Sequence, residues 1–325
     1  MKKTARYLLT GVCLYFAICL QITSAQTHIK KPAGSLKASQ PRENYITQEI
    51  KKKGTGDHGI YYDTLSNKIK PEDPLNAAGK QYQDIRVTLG AGDVINANVS
   101  SGFDHPLLSL LSNVNGQLKS IKAAIDTSST YTMKLLYKAT AAGTYTFRVT
   151  CKKKTPREKY DRQYFYENDA SYNLKSIIAT PESGVIMDNP AICDQVQFLI
   201  RQRVTDYLLI TGQVADTTMD VLDKKKIGFI NHLSSFTIDK NSKAKISIDP
   251  NSAYFAFDQS LFYNSDADAA KAQQYFIENF RTCLGPDWKG AVDSGDANWY
   301  KFEREGQKPV NIILYAGYKY VQILM

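Results

Sequence analysis

Histidine and cysteine are scarce in this chain of 325 residues, and long apolar runs are absent after its first 25. The four histidines, His28, His58, His105 and His232, sit in polar or loop-like stretches and never at metal-ligand spacing. H-E-x-x-H, G-x-S-x-G, a P-loop and C-x-x-C are all missing. Their absence removes the signatures of zinc peptidases, α/β-hydrolases, phosphate-loop NTPases and thioredoxin-like redox proteins. A catalytic set gathered from distant positions leaves no such signature, because it is recognised by geometry. Of five cysteines, Cys13 and Cys19 lie in the leader, which leaves Cys151, Cys193 and Cys283. An odd, sparse set is not a disulfide framework. Cys193 and Cys283 both fall on expected helices and are able to pair, whereas Cys151 shares an inward strand face with Phe147 and Val149.

The opening residues read as a leader. Lys2, Lys3 and Arg6 precede the apolar run YLLTGVCLYFAICL, and the small residues TSA lead to Gln26. That order of charge, apolar core and small-residue exit is a secretory signal peptide. The run is too short for a bilayer span of about 20 residues, so no transmembrane anchor is expected. The mature chain is expected in the periplasm, at the cell surface or outside the cell. Losing three basic and no acidic residues lowers the formal charge from +9 to +6. Lysine runs at 51–53, 152–154 and 224–226 border loops or strand ends and read as solvated charge. No nucleic-acid module is recognisable, so nucleic acid is not an expected partner.

Residues 26–80 are rich in Pro, Lys and small polar residues and read as a partly disordered lead-in. Within it GTGDHG, residues 54–59, spells G-x-G-x-x-G, but no core strand precedes it and no helix follows, so a loop is expected. From residue 82 the pattern turns to period two. Ile85, Val87 and Leu89 alternate, GAGD turns the chain, and Ile95, Ala97 and Val99 alternate again. LLSLL, an Asn-Gly turn in NVNG, Met133 to Tyr137, and Tyr145 to Cys151 complete the series. Short alternating strands between Gly and Asn turns indicate an antiparallel sandwich.

The stretches DIRVTLGAGDVINANVSS, HPLLSLLSNVNG and LLYKATAAGTYTFRV together resemble the bacterial pre-peptidase C-terminal domain. The resemblance covers about residues 80–152 and implies a jelly-roll-like sandwich over 81–152, usually an accessory module of secreted enzymes that sometimes contributes to substrate or surface binding. Some members bind calcium, and Asp93, Asp104 and Asp126 are the nearby carboxylates. Turn and strand-end roles are the alternative for all three. No other cofactor is implied, and no peptidase domain precedes the module.

Residues 153–188 read as a connector carrying Tyr160, Tyr164, Phe165, Tyr166 and Tyr172 among charges. Tyr160, Tyr164 and Tyr166 are the candidate ligand-binding residues, as flat rings with a polar handle, with packing between domains as the alternative.

Residues 189–325 read as a duplicated α+β domain. QFLIRQRVTDYL at 197–208 aligns on QYFIENFRTCLG at 274–285. Phe236, Ile238, Ile246, Ile248 and Tyr254 align on Tyr300, Phe302, Val310, Ile312 and Tyr318. Each copy reads as a helix followed by three strands. Asn189 and Pro190 open the first helix, whose apolar stripe runs from Ile192 to Leu208. Ser265 or Asp266 caps the second, and Gly285-Pro286 stops it. Asp266 and Asp268 read as capping groups, and Asp293 and Asp296 as turn residues or calcium ligands.

The expected fold is therefore an all-β sandwich followed by an α+β domain of two helix-plus-antiparallel-sheet repeats. The expected function is that of an exported, non-catalytic accessory or binding protein engaging a protein, glycan or cell-surface partner. The alternatives are a secreted hydrolase with an unrecognised site and a periplasmic inhibitor or chaperone-like partner of another secreted protein.

Overall fold

The computed structural model describes residues 46–52, 58–101, 106–126, 132–150, 170–188, 190–222, 225–249 and 254–325. The expected leader, most of GTGDHG, and the lysine run at 152–154 lie outside them.

The first part is a sandwich of two five-stranded sheets. Its strands are β1 (Ile46–Ile50), β2 (Ile60–Lys68), β3 (Tyr82–Leu89), β4 (Val94–Ser101), β5 (Leu107–Val114), β6 (Gln117–Ala123), β7 (Ile125–Asp126), β8 (Thr132–Lys138), β9 (Gly143–Thr150) and β10 (Ser171–Ala179). One sheet runs β1-β3-β9-β5-β6 and the other β2-β10-β4-β8-β7. Among the described residues of this part, only β1 pairs in parallel, with β3; the remaining pairs are antiparallel. The alternating residues do what their spacing predicts: Ile85, Val87, Leu89, Ile95, Ala97, Val99, Leu135 and Phe147 fill one core. Between β5 and β6, Asn115 and Gly116 both take positive φ, 54° and 78°, as the two-residue hairpin turn needs.

The sandwich extends beyond 81–152 on both sides. β2 belongs to the stretch read as lead-in, and β10 to the stretch read as connector. β10 is central, pairing with both β2 and β4 over eight or more residues. Tyr172 on β10 is a core residue, 2% exposed, and its hydroxyl donates to Gln83 Oε1 at 2.7 Å. Burial pushes that phenol well above its ordinary pKa.

The second part is an α+β layer. Helix α1 (Ile192–Gln202) precedes β11 (Thr211–Leu222), β12 (Lys225–Ser234), β13 (Ala244–Asp249) and β14 (Tyr254–Phe262). Helix α2 (Asp266–Leu284) precedes β15 (Lys289–Val292), β16 (Trp299–Glu303), β17 (Val310–Tyr315) and β18 (Tyr320–Leu324). The eight strands form one antiparallel sheet, β11-β12-β13-β14-β18-β17-β16-β15, so the two halves meet through their last strands. Each half has four strands, one more than expected. Phe236 and Ile238 are not in a strand; they follow β12 in a loop and still pack into the core. Tyr318 lies in the turn between β17 and β18 and is 75% exposed.

Both helices cover the face that carries Ile246, Phe257, Ile312 and Ile323. Helix α2 begins at Ser265, whose Oγ accepts from the Asp268 amide at 3.1 Å. Helix α1 is shorter than its apolar stripe. It passes at Arg203–Thr205 into a 3₁₀ turn, after which Asp206 and Tyr207 take φ of 49° and 61°. Two interactions close the turn: the Tyr207 amide donates to Gln202 O, and Asn96 of the sandwich donates from Nδ2 to Val204 O at 2.7 Å. Cys193 and Cys283 form a disulfide that joins the two helices.

Candidate functional site

The structure locates several of the carboxylates singled out in the sequence. Asp93 is 2% exposed; its Oδ2 accepts from the Gly90 amide of its own turn and from Lys52 Nζ, both at 2.7 Å. Asp104 lies outside the described residues, and Asp126 occupies β7 opposite Met133. Asp293 and Asp296 each accept from a backbone amide two residues on, both at 2.9 Å. Asp266 Oδ1 accepts from the Gly317 amide. Among the described residues, no three His, Cys, Asp or Glu side chains gather as metal ligands. His232 is on β12, with Nδ1 3.0 Å from Gly212 O. Tyr160, Tyr164 and Tyr166 lie outside the described residues.

An aromatic surface does form, on the face of the eight-stranded sheet turned away from the helices. Strand alternation creates it: as Leu261, Ile312, Val321 and Ile323 point to the core, their neighbours point to the other side. In register across β14, β18 and β17 stand Phe262, Tyr320 and Tyr315. Tyr315 and Tyr320 stack with centroids 4.4 Å apart and planes 17° apart; Phe262 lies 5.2 Å from Tyr320 at 42°. Phe262 is 73% exposed. Trp299 on β16 shares this face, half-buried, its indole donating to Asn311 Oδ1 at 3.0 Å.

A row of planar polar groups runs beside the rings. Tyr315 donates to Gln322 Oε1 at 3.0 Å, and Gln322 Nε2 donates to Asp258 Oδ1 at 2.8 Å. Further along, Lys245 Nζ donates to Asp216 Oδ2 at 2.6 Å and Asn231 Nδ2 donates to its Oδ1, while Ser247 donates to Asn231 at 2.8 Å. Burial raises Asp258 above the usual carboxylate range and outweighs the opposing bond from Gln322. Burial also raises Tyr315 and Tyr320, so both remain neutral phenols. Hydrogen bonds from Lys245 and then Asn231 hold Asp216 low. The face thus offers ring surfaces, amides and matched charges, with neutral phenols where a reactive phenolate would be needed. Among the described residues, no nucleophile and base are paired on this face.

No protein-family model matches the chain, and no curated protein matches it. Among solved structures, the pre-peptidase C-terminal domain of collagenase from Bacillus anthracis matches 35% of this chain and 87% of its own, at 11% identity and a TM-score of 0.23. Aeromonas hydrophila PliG, a periplasmic inhibitor of g-type lysozyme, matches 41% of this chain and 96% of its own, at 12% identity and a TM-score of 0.25. A mutant of the Escherichia coli PliG matches 40% and 96%, at 14% identity and a TM-score of 0.23. A pre-peptidase C-terminal domain is thus among the structures this chain is similar to, as its strand and turn motifs suggested.

The sequence reading placed the aromatic platform at 160–166 and missed the one at 262–320. A signal for the second was present: the spacing of Tyr315, Tyr320 and Trp299 puts them out of phase with the core residues Ile312, Val321 and Phe302.

Proposed function

We propose that this chain is an exported, non-catalytic binding protein that engages a glycan on the uncovered face of its eight-stranded sheet. The observation that carries the reading is the Phe262–Tyr320–Tyr315 row set beside the Tyr315–Gln322–Asp258 hydrogen-bond chain. Sugars are amphipathic in the same way. The C–H face of a pyranose ring packs on an aromatic face, and its hydroxyls exchange hydrogen bonds with amides and carboxylates. Charge on the face is paired, as in Lys245 with Asp216, which favours a neutral glycan over a polyelectrolyte. Export is supported by the leader composition and by the Cys193–Cys283 disulfide, a bond that persists in oxidising compartments. Among the described residues, no helix is long and apolar enough to cross a membrane. The sandwich acts as the accessory part that carries the binding layer.

The test is electrophoresis of the purified chain through native gels containing laminarin, soluble xylan or a soluble peptidoglycan digest. Retardation by one of these, lost in Tyr320→Ala, supports the reading. Unchanged mobility in all three overturns it.

A further inference from the structure

We infer a second site, independent of the sheet face: a cleft between the sandwich and the α+β layer that takes a single-chain anionic amphiphile. The cleft holds about 370 Å³, near the lower end of the range of small-molecule sites, roughly 300–1,000 Å³. Its floor is apolar and drawn from both parts: Leu136 of β8, Leu208 after α1, Ile248 of β13 and Phe255 of β14. Leu136 is a sandwich residue that packs against the other core, so the floor joins the two hydrophobic units. Lys122, Lys134 and Lys138 line the same cleft.

Charge decides the occupant. Lys134 pairs with Asp206, and its ammonium lies 5.7 Å from the centre of the Phe255 ring. Asp206 also faces the charge of Lys308, whose Nζ donates to Phe255 O at 3.1 Å and which Arg203 and Lys134 repel. One carboxylate thus faces two cations, Lys134 and Lys308, behind the wall. At the mouth, Lys122 and Lys138 are exposed and have no carboxylate partner among the described residues. Asp249 is the acidic lining residue. Cations surplus to their counterions beside an apolar floor suit a ligand with a carboxylate or phosphate head and a hydrocarbon body. The head sits between Lys122 and Lys138, and the chain lies along Leu136 and Phe255. An uncharged lipid would leave the lysines uncompensated. The other large hollow, at Asp287 and Arg304, carries no such surplus, because those two residues pair with each other at 3.3 Å.

The experiment is calorimetric titration of the whole mature chain with dodecanoate and with dodecyl phosphate below their micelle concentrations. Dodecanol and inorganic phosphate serve as controls. The expected result is one-to-one binding of at least one anionic probe, with both controls silent, and the preferred probe identifies the head group. Charge reversal at the two exposed positions, Lys122→Glu with Lys138→Glu, weakens that binding by roughly tenfold or more, and Leu208→Trp, which fills the floor, abolishes it. Thermal unfolding of each variant without ligand verifies that it is folded. Absence of binding by both anionic probes overturns the inference. So does equal binding of dodecanol, equal binding of inorganic phosphate, or full affinity in the folded double-lysine variant.

Discussion

Gln322 holds Asp258 and Tyr315 together: its Nε2 donates to the carboxylate at 2.8 Å while its Oε1 accepts the phenol at 3.0 Å. Because burial raises the folded-state pKa of Asp258, the folded protein keeps this proton to higher pH than the unfolded chain does. The stabilising contribution is full below the unfolded value, about 3.9, and is lost as pH rises through the folded value. In Asp258→Asn the amide keeps a bond to Gln322 and carries no charge. The variant therefore melts higher than the parent at neutral pH, and the difference shrinks as pH falls below the raised carboxylate value. Melting temperature followed across that interval checks the sign.

The disulfide between Cys193 and Cys283 closes a long loop, with a sequence separation of 90. Cross-links of that span act mainly by restricting the unfolded chain. Replacing both cysteines by alanine costs about 2–5 kcal/mol. Calorimetry with and without reductant reads this as a lower melting temperature for the parent on reduction and no response from the variant.

Arg148 grips Asp84 in two places, Nε to Oδ1 at 2.8 Å and Nη2 to Oδ2 at 2.7 Å, and its guanidinium lies 3.8 Å from the Tyr82 ring centre. A lysine has neither the fork nor the flat stacking face. Arg148→Lys is expected to lower stability by about 1–3 kcal/mol, measured by urea unfolding, with the midpoint falling and the slope unchanged.

We expect Asp93 to act as a turn residue. Its Oδ2 accepts from both the Gly90 amide and Lys52 Nζ, which ties the GAGD turn to Lys52. Asp93→Ala leaves the half-buried Gly90 amide and the ammonium without their acceptor and lowers stability by about 1–3 kcal/mol. A chelator, or added calcium, leaves the melting temperature of the parent where it was. A rise with calcium that disappears in Asp93→Ala contradicts this role.

Strands were legible where every inward slot is apolar. Ile85-Val87-Leu89 and Ile95-Ala97-Val99 could be read directly because nothing polar interrupts them. β2 and β10 were hidden because Asp63 and Ser176 occupy buried positions in them, made tolerable by the Lys51 and Thr64 amides and by Asp63 O respectively. The stripe from Ile192 to Leu208 overstated α1. Apolar spacing continues past Gln202, while the break is set by Asn96, more than 100 residues away, taking the Val204 carbonyl. The cysteine pair depended on how the two helices approach, which spacing along the chain does not encode. The aromatic face escaped for a related reason. Phe262 and Tyr320 are 58 positions apart and become neighbours only because β14 and β18 are the strands at which the two halves of the sheet join.

The chain has two tryptophans, Trp288 in the core and Trp299 on the proposed binding face, so Trp288→Phe leaves a single reporter at the site. The decisive measurement is the fluorescence of that variant during titration with laminarin, soluble xylan or the peptidoglycan digest. The account predicts a saturable change in emission and protection from iodide quenching with one of these glycans, both lost when Tyr320→Ala is added. Emission unaltered by all three, or a change that survives Tyr320→Ala undiminished, would contradict it.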